Sequence, residues 1–197
     1  MESVDIKVHK RTDLGKKAAK KLRKQGMVPG VLYGGEEVVH FYAPESAFKH
    51  IIYTDRVYIV NLDIDGKVYK TIRKATQFHP VTDRLLHIDF LELHEGKPVK
   101  LYVPVKLTGF AEGVRMGGNL FQLMRYMRIK ALPKHLPDHL EIDVTNLGLG
   151  KSLKVEQLSF ENIEILEPKS AVVAVIKLTR AAKSKQAAEA EQQQASS

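Results

Sequence analysis

The chain has 197 residues, no cysteine and a net charge of +8, and 44% of its residues are hydrophobic. That hydrophobic fraction is enough for one or two folded cores and too high for a disordered chain. The lack of cysteine excludes a disulfide framework, a thiolate zinc site and a cysteine nucleophile. The sequence has no signal-peptide pattern and no run of about 18 apolar residues, so we expect a cytoplasmic protein that has no membrane partner.

The first third of the chain is predicted to contain a strand and two helices. Residues 4–8 alternate between apolar and polar side chains, which indicates a half-buried strand. Residues 14–25 have helical spacing, and residues 44–52 follow as a second helix that begins with a proline. We expect the buried stripe of the first helix to consist of its three regularly spaced apolar residues, Leu14, Ala18 and Leu22.

Most of the remaining elements are predicted to be strands, grouped in two units. Asp65-Gly66 lies between two apolar runs, which is typical of a β-hairpin, and a strand from residue 85 closes a first unit of residues 1–95. A second β-rich unit is predicted for residues 96–180. Residues 181–197 contain no large apolar side chain, and we predict that they form a disordered tail. The predicted fold is mainly β with few helices.

Positive charge is densest at the N-terminus. Residues 1–34 carry nine Lys and Arg against three acidic residues. Residues 35–95 carry seven Lys and Arg against ten acidic residues. Residues 96–180 carry thirteen Lys and Arg against eight acidic residues. A dense positive region fits a polyanionic partner, because such a region attracts and orients negative charge.

The first predicted helix has six cations and no acidic residue. They lie in two rows, Lys16, Lys20 and Arg23 in one and Lys17, Lys21 and Lys24 in the other. No acidic side chain within the helix stands four positions away to relieve their repulsion, whereas a row of RNA phosphates would relieve it. Arg11 lies just before the helix and would extend this surface. The alternative is a solvated basic face without a partner.

A histidine and an aspartate stand out on the strand LLHIDFLEL. Alternation places His87 and Asp89 together on the face opposite Ile88 and Phe90. The pair has four interpretations: polar groups on a solvated strand, two metal ligands without a clear third, a catalytic dyad without an evident nucleophile, or RNA contacts. In the last case Asp89 would accept hydrogen bonds from base amino groups and so provide specificity rather than affinity.

Tyr33, in VLYGG, is predicted to point outward beside the basic side chains while Val31 packs inward. Exposed aromatic rings stack on unpaired bases or pack on ribose. The alternative is a partly buried strand tyrosine.

Enzyme motifs are lacking. The glycines at 113, 117 and 118 are not followed by Gly-Lys-Ser/Thr, and GLGKS at 148–152 lacks the earlier glycine of a phosphate-binding loop. The chain has neither GxSxG nor HExxH. We therefore expect no catalytic residue, metal, cofactor or small-molecule substrate.

Two groups of residues match family signatures. The first comprises Arg11, Gly15-Lys16, Leu22-Arg23, Val28-Pro29-Gly30 and Tyr33-Gly34-Gly35, and the second comprises Gln77, Pro80, His87 and Asp89-Phe90. In their order along the chain they resemble the signatures of the bacterial large-subunit ribosomal protein twenty-five family. The segments VPVKLTGFAEGVRMGGNL and LPKHLPDHLEIDVTNLGLGKSL resemble the C-terminal β domain of its long form, the general stress protein Ctc type.

The resemblance implies a structural, ribosome-associated component of the large subunit. Its N-terminal domain would be a small β-barrel that binds the loop E region of 5S rRNA from the minor-groove side. The implied RNA contacts are Arg11, Lys16, Lys20, Arg23, Tyr33, His87 and Asp89. Lys20 stands where the family often has arginine, which keeps the charge but loses a bidentate contact.

The predictions for the second unit are less specific. Further partners would be 23S rRNA and neighbouring ribosomal proteins, both through residues 96–180. The alternative function is a stress-related RNA-binding adaptor that contacts a protein partner through this unit.

Overall fold

The structure, a computed structural model, describes residues 1–179. The chain divides into two compact units, the first made of Met1–Val103 with Lys130–His139 and the second of Pro104–Ile129 with the described residues from Leu140 onward. The predicted tail, residues 181–197, lies outside the described residues. Within the described part, no helix has the length and apolar character needed to cross a membrane.

Six strands of the first unit form a closed barrel. They are β1 (Ser3–Lys10), β2 (Met27–Tyr33), β3 (Val39–Pro44), β4 (Ile59–Ile64), β5 (Lys67–Phe78) and β6 (Leu85–Glu92). Their order around the barrel is β1-β3-β2-β6-β5-β4, and parallel pairing of β1 with β4 closes it. Closure leaves this sheet without a free edge. The expected small β-barrel with helices is confirmed.

The helices of the first unit are short. Helix α1 (Lys16–Lys24) joins β1 to β2, and a 3-10 turn (Glu45–Phe48) leads into α2 (Lys49–Ile52). The predicted place of Leu14 in a buried stripe is wrong, because Leu14 precedes the helix and its side chain is 57% exposed. Gly15, with φ of 105°, breaks the helical backbone between Leu14 and the first turn.

Three phenylalanine rings form the centre of the barrel core. The ring centroid of Phe90 lies 5.9 Å from that of Phe41 and 6.3 Å from that of Phe48. Gly30 makes room for them: a Cβ at this position would overlap the Phe41 ring and lie 2.8 Å from the carbonyl oxygen of Ile88. The glycine of the Val-Pro-Gly motif is therefore required by packing inside the barrel.

The predicted hairpin is confirmed between β4 and β5. Its turn consists of Asp65 and Gly66, with φ of 49° and 95°, and the Gly66 amide donates to Asp63 Oδ1 at 2.8 Å. Two successive positive φ angles match the right-handed twist of the paired strands, which explains why Asp-Gly is suited to this turn.

The other strands form one four-stranded and one three-stranded sheet, ordered β10-β7-β9-β12 and β11-β13-β8. The strands are β7 (Val99–Thr108), β8 (Asn119–Gln122), β9 (Tyr126–Ala131), β10 (Leu140–Asp143), β11 (Ser152–Lys154), β12 (Ile163–Ile165) and β13 (Val172–Lys177). Short helical segments are α3 (Glu112–Arg115) and the 3-10 turns Pro133–His135 and Val155–Gln157. The predicted β-rich character of this part of the chain is confirmed.

Candidate nucleic-acid interface

Strands β2 and β6 place three of the predicted contact residues on the outer face of the barrel. The two strands are parallel, and their register pairs Val31 with Asp89 and Tyr33 with Leu91. Their neighbours Leu32 and Phe90 are buried in the core, so alternation turns Tyr33, His87 and Asp89 outward. The expectation that Val31 packs inward is wrong, because residues 31 and 33 lie on the same face of one strand.

His87 and Asp89 form a hydrogen-bonded pair. The distance from His87 Nδ1 to Asp89 Oδ1 is 2.7 Å, and each side chain is 26% exposed. A carboxylate accepts at this distance, so Nδ1 carries the proton and Nε2 is the ring nitrogen that remains for a ligand. The predicted sharing of one face is confirmed, and the bond fixes the orientation of both side chains.

Tyr33 lies within electrostatic reach of this pair. Burial raises the pKa of Tyr33, and the negative charge of Asp89 raises this pKa further. The phenol therefore keeps its proton throughout the neutral range and is a hydrogen-bond donor there. The outer face thus presents a phenol O–H, an imidazole and a carboxylate on two adjacent strands.

Helix α1 carries its cations at the surface and packs against β2. Lys16 and Lys20 are exposed, and no residue of the helix is fully buried. Arg23 differs from them, because its Nε donates to the carbonyl oxygen of Leu86 at 2.9 Å. This bond fixes the last turn of α1 beside the residue that precedes His87 on β6.

Arg11 has a structural role that the sequence did not reveal. Its Nε donates to the carbonyl oxygen of Asp13 at 2.7 Å, and its Nη2 donates to that of Gly15 at 3.3 Å. The Arg11 backbone amide also donates to the carbonyl oxygen of His40 at 2.8 Å. The half-buried guanidinium therefore stabilises the loop that leads into α1.

Gln77 belongs to the second family signature, but the sequence did not identify it as a site residue. The antiparallel register of β5 and β6 places it directly opposite His87, and it is exposed. Across residues 1–179, no three His, Asp or Glu side chains are grouped so that they could hold a metal ion.

A closed barrel with a cationic helix and an outward row of polar and aromatic side chains is typical of small RNA-binding β-barrel proteins. Comparison with known proteins agrees. The model of the Ribosomal L25p family matches residues 6–90, and that of the ribosomal protein TL5 C-terminal domain matches residues 98–180.

Relatives named "Large ribosomal subunit protein bL25" match over nearly the whole chain. The protein from Phocaeicola vulgatus is 48% identical over 190 residues, which cover 93% of this chain and 96% of the relative. The Porphyromonas gingivalis protein is 49% identical over 175 residues, covering 88% and 91%. The Bacteroides thetaiotaomicron protein is 46% identical over 193 residues, covering 95% and 98%. The chain belongs to the Ribosomal L25p family, in its long form with a TL5 C-terminal domain. Ribosomal proteins of this kind are structural components rather than enzymes.

Proposed function

We propose that this chain is a component of the large ribosomal subunit and binds the loop E region of 5S rRNA through the outer face of its barrel. The observation that carries the proposal is the bond from Arg23 to the Leu86 carbonyl, 2.9 Å long. It joins the helix with the densest positive charge to the strand that bears His87 and Asp89. The bond therefore fixes the position of the phosphate-binding helix relative to the strand that would contact bases.

The two surfaces have different tasks. Lysines of α1 would contact phosphates, and such contacts give affinity without sequence information. A-form RNA has a wide, shallow minor groove that displays base edges and 2′-hydroxyl groups, and a β-surface with projecting side chains reaches such a groove. There Tyr33 would donate, and Asp89 would accept from an amino or hydroxyl donor.

Asp89 is the residue that makes the surface selective. A carboxylate beside RNA is repelled by phosphates, so it is favourable only where a donor group meets it. The hydrogen bond from His87, 2.7 Å long, holds the carboxylate in place before RNA arrives. An RNA without a donor at this point would leave the charge desolvated and without a new partner.

The proposal is tested by titrating labelled 5S rRNA with the full chain at several salt concentrations. Loop E RNA is expected to bind more tightly than a duplex of equal length and scrambled sequence, and its affinity should fall steeply with salt. Salt-independent binding, or equal affinity for the two RNAs, would contradict the proposal.

A further inference from the structure

The second unit has an apolar groove with an acidic rim, and we propose that it binds an extended, lysine- or arginine-rich segment of another protein. The groove has a volume of about 210 Å³ and lies entirely within residues 155–169. Its apolar lining consists of Val155, Leu158, Phe160, Ile163 and Ile165. Of these, only Val155 is fully buried, so the other four leave apolar surface in contact with solvent.

Strand β12 gives the groove a shape that suits an extended chain. In the described part of the chain, β12 stands at one end of the sheet order β10-β7-β9-β12. Its residues Ile163 and Ile165 both line the groove. An extended segment can align with a strand at a sheet edge, forming main-chain hydrogen bonds while alternate side chains enter the adjoining pockets.

The charge around the groove is opposite to that of the chain as a whole. Residues 155–169 contain four glutamates and one lysine, whereas the whole chain has a net charge of +8. Glu156 lines the groove and is exposed, and Glu161, also exposed, follows the lining residue Phe160 directly in sequence. Glu156 lies 3.6 Å from Lys154 Nζ, and Glu167 accepts from the Arg128 amide at 3.3 Å. Exposed contacts of this kind are weak and exchangeable, so the rim stays negative towards a ligand.

This charge selects the class of partner. A nucleic acid would bring a row of phosphates against the glutamates, and these would repel it. A basic protein segment with alternating apolar residues would fill the groove with one set of side chains and meet the glutamates with the other. Proteins in an RNA particle need lysine and arginine to neutralise phosphate, so basic segments are common in such surroundings. The inference concerns residues far along the chain from α1 and β6, and it does not depend on 5S rRNA binding.

The test uses the full chain and a dye-labelled ten-residue peptide of alternating lysine and valine, measured by fluorescence anisotropy. Saturable binding that weakens with salt is expected, with no binding of a glutamate–valine peptide or of a ten-nucleotide oligouridylate. Glu156→Lys combined with Glu161→Lys should weaken peptide binding by about tenfold or more, because like charges then face each other. The control is Glu112→Lys, an exposed glutamate of the same unit that lies outside residues 155–169, which should change the affinity by less than about twofold.

Several results would overturn the proposal. These are no binding of the lysine–valine peptide up to about 1 mM, equal binding of the glutamate–valine peptide, and unchanged affinity in the double variant. Competition by oligouridylate would assign the groove to RNA. A dimer in light scattering that the double variant dissociates would assign it to a second copy of the chain. The double variant should still bind 5S rRNA as the unchanged chain does, which separates this proposal from the proposed function. If the double variant fails to fold, the salt dependence of peptide binding and the comparison of the two peptides, both measured on the unchanged chain, still test the proposal.

Discussion

The two units are both built of β-strands, yet they differ in charge. In the first unit, Lys and Arg number 20 against 14 Asp and Glu, whereas the described part of the second unit has 8 against 7. Helix α1 alone carries six cations. Without this helix, the positive and negative side chains of the first unit would be equal in number. The first unit without α1 is therefore neutral, and the net charge of this unit equals that of one short helix.

Under the proposed function, this difference separates affinity from selectivity. The barrel could present a carboxylate such as Asp89 without losing RNA altogether, because α1 would attract the phosphates nearby. The second unit has no comparable helix among its described residues, and residues 155–169 are acidic. We therefore expect substitutions in the two units to have different effects on RNA binding and on protein contacts.

The largest expected effect is on the barrel fold itself. Gly30→Ala should lower the free energy of unfolding by about 3 kcal/mol, since the new Cβ would meet the Phe41 ring and the Ile88 carbonyl oxygen. Gly148→Ala in the second unit is the matched control. Its Cβ would have only Lys151 Cγ nearby, at 3.7 Å, so we expect a change within about 0.5 kcal/mol. Urea unfolding checks both, and equal stability of the two variants would show that the packing argument is wrong.

The next effect concerns the phosphate surface. Lys16→Ala combined with Lys20→Ala should reduce the slope of log affinity against log salt by roughly 1.5, because two phosphate contacts are lost. The matched pair in the second unit is Lys106→Ala with Lys151→Ala, both exposed. We expect no change of slope for this pair. If both pairs lower the slope equally, the RNA surface is not confined to the barrel.

A smaller and more specific effect is expected for the carboxylate. Asp89→Ala should weaken binding to loop E RNA by roughly tenfold and binding to a scrambled duplex by no more than about twofold. Asp55→Ala, an exposed aspartate of the same unit, should leave both affinities unchanged. Binding assays on the two RNAs measure the ratio of the affinity for loop E RNA to that for the scrambled duplex. An equal loss on both would mean that Asp89 does not contribute to selectivity.

The smallest effect is a titration shift. The Asp89 carboxylate contributes to the raised pKa of Tyr33, after burial, so Asp89→Asn should lower this pKa while leaving it above the ordinary value. A raised tyrosine pKa favours the neutral phenol in the folded state. Its contribution to stability is thus present below about pH 10 and is lost as the pH rises through the raised value. The Tyr33 titration is isolated by subtracting the absorbance of the same chain that also carries Tyr33→Phe. If Asp89→Asn leaves the Tyr33 pKa unchanged, the Asp89 charge does not act on Tyr33.

The local features of the fold were predictable from sequence. Asp65-Gly66 determined the hairpin turn through its positive φ angles, and alternation around Ile88 and Phe90 placed His87 and Asp89 on one face. These features depend on neighbours along the chain, for which periodicity is a direct signal.

The non-local features were not predictable. Parallel pairing of β1 with β4 closes the barrel, and parallel pairing of β2 with β6 brings Tyr33 near Asp89, although 56 positions separate these residues in sequence. Such pairings depend on the packing of the whole core. The bond of Arg23 to Leu86 follows from them, so the sequence showed a cationic helix and a polar strand without showing that they adjoin.

Hydroxyl-radical footprinting of 5S rRNA with the full chain is the most direct test of the central claim, that the outer face of the barrel binds loop E. We expect the unchanged chain and the Lys106→Ala/Lys151→Ala variant to protect the loop E minor groove. We expect the Lys16→Ala/Lys20→Ala variant to lose this protection at moderate salt. Protection outside loop E, or protection that is the same with both variants, would contradict the central claim.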